Sequence, residues 1–114
     1  MVERYSSKPR MSGAVVHNGT VYLAGQVGED RDADITTQTK QTLARIEKLL
    51  AEAGSDKSKL LSVNIWLTDM RHFDAMNAVW DAWVPEGCAP ARATVGAPLA
   101  TTGFLIEIGV IAAV

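Results

Sequence analysis

Two residues in the C-terminal quarter of the chain have side chains suited to chemistry. Arg92 lies in the run Pro90-Ala91-Arg92-Ala93-Thr94-Val95-Gly96, and Glu107 in Phe104-Leu105-Ile106-Glu107-Ile108-Gly109-Val110. A guanidinium is a planar fork that grips a carboxylate through two N–H groups. A carboxylate near such a fork can orient water or carry a proton. Glu107 is the only charged residue from Phe104 to Val114. A carboxylate among apolar neighbours costs free energy unless it is paired or hydrogen-bonded. The pair can be a structural salt bridge. It can equally line a cleft, with Arg92 holding a substrate carboxylate and Glu107 handling water or a proton.

Both runs read as strands, joined by Pro98-Leu99-Ala100-Thr101-Thr102-Gly103, a stretch rich in turn formers. Side chains alternate faces along a strand. Arg92, Thr94 and Gly96 share one face, and Leu105, Glu107 and Gly109 share another. If Ala97 pairs with Phe104 in a hairpin, Thr94 lies opposite Glu107 and Arg92 is its diagonal neighbour, within reach of a long side chain. A slip of one residue would place the two charges on opposite faces. The expectation is the paired register.

The bulk numbers bound the function classes. A chain of 114 residues suits a single domain over 1–114, and 47% hydrophobic content suits a globular one. Net charge is −2 and the sequence pI is 5.6, unlike the basic footprint of a nucleic-acid binder. No apolar run approaches the ~20 residues that span a bilayer. Met1 to Arg10 lacks the apolar centre of a signal peptide, so the expected compartment is the cytoplasm. A lone Cys88 excludes an internal disulfide, and Cys88, His17 and His72 lack ligand spacing, so no metal is expected.

Residues 1–12 are polar and read as a loose arm that orders only against the rest of the fold or a neighbour. Ala14–His17 and Val21–Ala24, joined by Asn18-Gly19, form a β-hairpin signal. Glu29 to Asp34 is a charged loop. Thr36 or Thr37 opens a helix with Leu43, Ile46, Leu49, Leu50 and Ala53 on its buried side. Thr42, Arg45, Lys48 and Glu52 fall on its solvated side, and Gly54 ends it. Leu60–Leu67 is a strand with Leu61, Val63, Ile65 and Leu67 on one face; after a helix it can run parallel to a neighbour. Thr68-Asp69 caps a second helix, about Met70 to Trp83. Its inner stripe is Phe73, Met76, Asn77, Trp80 and Trp83 or Val84. The order β-β-α-β-α-β-β predicts an α+β two-layer sandwich: one mixed sheet with both helices on one face. Trp66, Val95, Ile108 and Val110 exceed what two helices can cover, which points to self-association over the other face.

Gly25-Gln26, Phe73-Asp74-Ala75-Met76-Asn77, Pro90-Ala91-Arg92 and Ile106-Glu107-Ile108 together resemble the RidA/YjgF family. The second helix, Asn77-Ala78-Val79-Trp80-Asp81-Ala82-Trp83, and the Ala89-Pro90-Ala91-Arg92-Ala93-Thr94-Val95 run are closest to its short YoaB-like branch. The resemblance covers almost the whole chain. It implies a chorismate-mutase-like fold, a homotrimer with clefts between subunits, and no cofactor or metal. The implied activity is hydrolysis of reactive 2-imino and enamine acids, such as 2-iminobutanoate and 2-iminopropanoate, to 2-oxo acids and ammonia. By this resemblance Arg92 is the carboxylate-binding arginine, Glu107 the water-positioning glutamate, and Asn77 a cleft-lining asparagine. Three positions depart. The family's tyrosine before the first strand is replaced near Met11, a serine is Ala24, and a cysteine is Thr94.

The implied reaction is attack of water on the imine carbon. Arg92 holds the carboxylate, Glu107 takes and returns the proton, and Thr94 helps hold the nitrogen or developing charge. The alternative is a module that binds small carboxylates or 2-oxo acids without turnover, which the three departures favour. A ribonuclease, the label of older family descriptions, is disfavoured by the acidic pI and by the lack of paired histidines near Arg92. His17 at a hairpin tip, His72, and the Arg45–Lys48–Glu52 face read as solvated, and Cys88 has no cation nearby to activate it. The three tryptophans read first as packing residues.

Overall fold

The alternating and helical apolar patterns fold into a six-stranded mixed sheet with both helices on one side of it, here a computed structural model of residues 1–114. In chain order the elements are β1 (Glu3–Ser7), β2 (Ser12–His17), β3 (Thr20–Leu23), α1 (Ile35–Glu52), β4 (Leu60–Leu67), α2 (Phe73–Trp83), β5 (Ala91–Gly96) and β6 (Ile106–Ala113). Across the sheet they lie β1-β2-β3-β6-β4-β5. Every neighbouring pair is antiparallel except β4 and β5. This is the α+β two-layer architecture expected from the sequence, with one strand more. The N-terminal arm is not loose: it pairs Glu3 with Val16 and Tyr5 with Ala14 as an edge strand. Backbone bonds order it, since its side chains are exposed apart from Tyr5, which reaches the core.

The core lies between the helices and one sheet face. β6 contributes Ile106, Ile108, Val110 and Ala112, and β4 contributes Val63, Ile65 and Leu67. Leu43, Ile46 and Leu50 of α1 and Met76 and Trp80 of α2 close over them. Each Val, Leu, Ile or Met side chain among them is worth about 1.5–3 kcal/mol when fully buried. Ile108 and Val110 were expected on the uncovered face and are core instead. β6 is an interior strand whose even-numbered residues point at the helices, so only Trp66 and Val95 of that set lie on the open face.

Local chemistry shifts several boundaries. α1 starts at Ile35, one or two residues earlier than Thr36 or Thr37 implies, because the Asp34 side chain caps it, accepting the Thr37 N–H at 2.8 Å. Thr42, expected in solvent, is fully buried. Its hydroxyl donates to the Gln38 carbonyl at 2.7 Å, as Thr39 does to Ile35, which removes the cost of hiding it. A register shift between Leu60 and Ser62 turns Leu60 inward and Leu61 outward, so Leu61 leaves the face shared by Val63, Ile65 and Leu67. The second helix begins as a 3₁₀ turn, Met70–His72, capped by Asp69, and becomes α-helical only at Phe73, which is exposed.

Gln38 is the polar centre of the fold. It is fully buried, donates to the carbonyls of Ala33 and Gly103 at 3.0 and 3.1 Å, and accepts the Leu105 N–H at 2.8 Å. It ties the start of α1 to the segment entering β6. Gln38→Leu should destabilise the protein by about 1–3 kcal/mol, read by urea denaturation, because buried backbone groups lose their partners.

The caps also set an acid limit. Hydrogen bonds from the Arg71 side chain and backbone pull the Asp69 carboxyl from its ordinary 3.8 to about 2. The Thr37 backbone N–H lowers Asp34 in the same direction. A carboxyl lowered by folding contributes stability above its unfolded pKa of about 4 and loses it as pH falls through the folded value. Thermal midpoints should therefore drop between about pH 4 and 2, and Asp69→Asn should flatten that limb.

Candidate functional site

The sheet register decides where the reactive side chains go. β5 does not form a hairpin with β6. It pairs in parallel with β4, Val63 beside Arg92 and Ile65 beside Thr94, while β6 flanks β4 on the other side, with Glu107 beside Trp66. The strand–helix–strand unit β4-α2-β5 favours that parallel neighbour. The chain then crosses the end of β4: Ala97 N–H bonds the Leu67 carbonyl at 2.9 Å, and Thr68 N–H the Leu105 carbonyl at 3.0 Å. The expected pairing of Ala97 with Phe104 is thus replaced. Arg92 and Thr94 face the helices with Val63 and Ile65, and Glu107 faces the other way with Trp66. Two strand spacings and three residues of rise put the Arg92 and Glu107 Cα atoms roughly 14 Å apart. No Arg92–Glu107 salt bridge forms; the ion pairs are Lys57–Glu47 and Arg71–Asp69.

On the helix face, Arg92 Nη1, Thr94 Oγ1 and Asn77 Oδ1 are buried and without hydrogen-bond partners, and no other side-chain atoms share that condition. Arg92 and Thr94 are successive residues of one strand face, α2 brings Trp80 to Arg92, and Asn77 lies one turn earlier on that helix. The Arg92 Cζ lies 5.2 Å from the Trp80 ring centroid. A buried polar atom left unpaired costs about 1–3 kcal/mol, so a donor, an acceptor and a hydroxyl left unpaired are a cost that the rest of the fold avoids.

On the open face, Glu107 is half-buried and accepts no hydrogen bond from the chain. Its carboxylate lies against Gly25, where a Cβ would sit 3.0 Å from Cδ and closer still to Oε2. Gly25 is held there because Gln26 bridges Ile108 in both directions, N–H to carbonyl, at 2.8 and 2.9 Å. Glu107 and Trp66 wall a hollow of about 230 Å³ with Ala97, Pro98, Leu99 and Ala100. Of the departing positions, Ala24 adjoins Gly25, and Met11 is exposed at the β1–β2 turn. In the sequence Gly25 stands out only through the family resemblance; its contact with Glu107 is a property of the packed sheet. A larger hollow of about 540 Å³ lies between α1 and α2, lined by Leu43, Ala78, Val79 and Trp83 among others. It contains none of the candidate residues, and its Glu47 and Lys57 satisfy each other. No three His, Cys, Asp or Glu side chains converge as a metal site, and no helix is long and apolar enough to cross a membrane.

The fold is that of a small α+β protein whose candidate residues lie on the two faces of one sheet, Arg92 and Thr94 on the helix side and Glu107 on the other. The profile of the family described as "Endoribonuclease L-PSP" matches residues 2–114. The RutC family protein YoaB of Escherichia coli K12 is 45% identical over 99% of this chain and 98% of its own. A YjgF family member from Neisseria meningitidis superposes with a TM-score of 0.96 at 42% identity, over 99% of this chain and 94% of that one. An uncharacterized protein from Pseudomonas aeruginosa does so with a TM-score of 0.96 at 41% identity, over 99% and 98%. The chain belongs to the RidA/YjgF family, in its YoaB-like branch.

Gly25→Ala should leave the sheet intact but force the Glu107 side chain into another rotamer, visible in a crystal structure. Overpacking of this kind costs about 1–3 kcal/mol.

Proposed function

We propose that this protein hydrolyses small reactive 2-imino acids to 2-oxo acids and ammonia in clefts formed between copies of the chain. One copy supplies Arg92, Thr94 and Asn77, and its neighbour supplies Glu107. The observation that carries this reading is the placement of the two groups on opposite sheet faces, which bars a single chain from applying both to one small molecule. Self-association is supported by the open face, where Trp66 lies with Tyr22 and Val95, 47% and 50% exposed. Three copies is the number the family resemblance implies.

In this reading the Arg92 N–H groups donate to the substrate carboxylate, and Asn77 Oδ1 accepts the imine N–H. The unpartnered atoms match those needs, since the guanidinium offers a donor and the amide oxygen an acceptor. Water bonds to the imine carbon as Glu107 takes its proton, and the C=N π pair moves to nitrogen, which is protonated. Collapse of the carbinolamine breaks the C–N bond, releases ammonia and leaves the 2-oxo acid. The Thr94 hydroxyl sits beside Arg92 to steady the nitrogen. Positioning and acid–base help of ~10²–10⁴-fold suffice for a substrate that already hydrolyses in water. A second reading is binding of 2-oxo acids without turnover, supported by Ala24 and Thr94, which replace more reactive side chains of the family. Ribonuclease activity finds no support in the site: His17 is at an exposed hairpin tip and His72 in the turn before α2.

Ammonia release from freshly generated 2-iminobutanoate tests the proposal. Arg92→Ala should lower kcat/KM by about 10²-fold through loss of charged hydrogen bonds, and Glu107→Gln should lower kcat while sparing KM. Oligomers reassembled from a mixture of the two variants should recover activity above their sum, because some clefts then hold both intact halves. No recovery would refute the shared cleft. Calorimetric binding of 2-oxobutanoate without any rate enhancement would leave the binding module.

A further inference from the structure

We infer that Trp80 is a positioning residue for Arg92, its indole face holding the guanidinium while leaving the N–H edge free for a ligand's carboxylate. This rests on the reading of Arg92 as a carboxylate clamp.

Arg92 is half-buried, with Nη1 hidden and unpartnered, and no carboxylate of the chain pairs with it. A cation in that setting needs compensation for lost water. An aspartate or glutamate would supply it by occupying the very N–H groups a substrate needs. An aromatic face attracts the cation through its quadrupole and occupies no N–H at all. The separation of 5.2 Å from Arg92 Cζ to the Trp80 centroid falls within the ~6 Å over which that attraction acts.

The indole is itself fixed. Trp80 is only 5% exposed and packs on Trp83, ring centroids 5.4 Å apart and planes tilted by 46°. Trp83 Nε1 donates to Glu47 Oε1 at 2.8 Å, and Lys57 Nζ sits 3.1 Å from that oxygen and 5.3 Å from the Trp83 centroid. A chain of contacts therefore runs from α1 and the turn before β4, through both tryptophans, to the guanidinium. Helical spacing adds to this: Asn77, Trp80 and Trp83 are three residues apart, so one rigid face of α2 presents both Asn77 and the platform for Arg92. A tryptophan that merely filled the core would need no guanidinium beside it and would act on all ligands alike.

Two measurements separate these roles. The Arg92 Nε–H resonance in an NMR spectrum should be shifted upfield by the indole ring current, less so in Trp80→Phe, and not at all in Trp80→Leu. Binding of 2-oxobutanoate and of its uncharged methyl ester should differ strongly in the wild type. Trp80→Phe should weaken the acid about three- to tenfold and leave the ester unchanged; Trp80→Leu should weaken the acid further. Trp80→Phe keeps the core filled if Trp80→Leu does not fold. An Arg92 resonance indifferent to these changes, or equal losses for acid and ester in a folded variant, would overturn the positioning role. A wild type that binds acid and ester alike would refute the carboxylate reading, and the positioning role would fall with it even if the resonance shift is present.

Discussion

Between Ser62 and Leu67 the interior strand β4 is bonded on one side to β5 in parallel and on the other to β6 in antiparallel fashion. That one arrangement fixes the direction of every candidate side chain on the sheet. Alternation along β5 then sends Arg92 and Thr94 under α2, and alternation along β6 sends Glu107 to the uncovered face. Neither residue can change sides without moving a whole strand, because the neighbours Val63, Ile65, Ile106 and Ile108 are locked in the core. The positions of the chemical groups are in this sense consequences of where the apolar ones must go.

The two candidate charges have different surroundings. Side chains surround Arg92: the Trp80 ring lies beside its guanidinium, and Trp83 and Glu47 lie behind that ring. Glu107 depends on backbone: the Gln26–Ile108 bridge brings Gly25 so close that only a residue without Cβ leaves room for the carboxylate. Arg92, Thr94 and Asn77 keep buried polar atoms unpaired within the chain, which is a local cost in a protein where other buried groups, such as Gln38 and Thr42, are hydrogen-bonded. The apolar open face carries the same message on a larger scale, since an isolated chain leaves Tyr22, Trp66 and Val95 in water. The exposed apolar patch and the candidate charges belong to one sheet.

Much of the architecture was legible because it is written in local patterns. The Asn18-Gly19 hairpin, the β4 boundaries at Leu60 and Leu67, the buried Leu43, Ile46 and Leu50 of α1 and Met76 and Trp80 of α2, and the α+β class all follow from periodicity and turn chemistry, whereas Phe73 of the expected stripe is exposed. What escaped was set by distant partners. β1 carries no apolar alternation and exists because β2 offers it an edge. The burial of Thr42 depends on a hydroxyl folding back on its own helix, and the outward turn of Leu61 on a bulge that only the pairing with β6 reveals.

The sequence by itself determined which residues are chemically eligible: a guanidinium, an amide and a hydroxyl in an apolar frame, and one carboxylate alone in a hydrophobic strand. It also determined that a sheet with two helices would hold them. Only the tertiary structure decided that β5 joins β4 rather than β6, and hence that the cation and the carboxylate face opposite ways. The reason is physical. Alternation within a strand is a local property of the backbone, but the choice of neighbour compares whole-sheet packings whose free energies depend on every residue that a crossover buries.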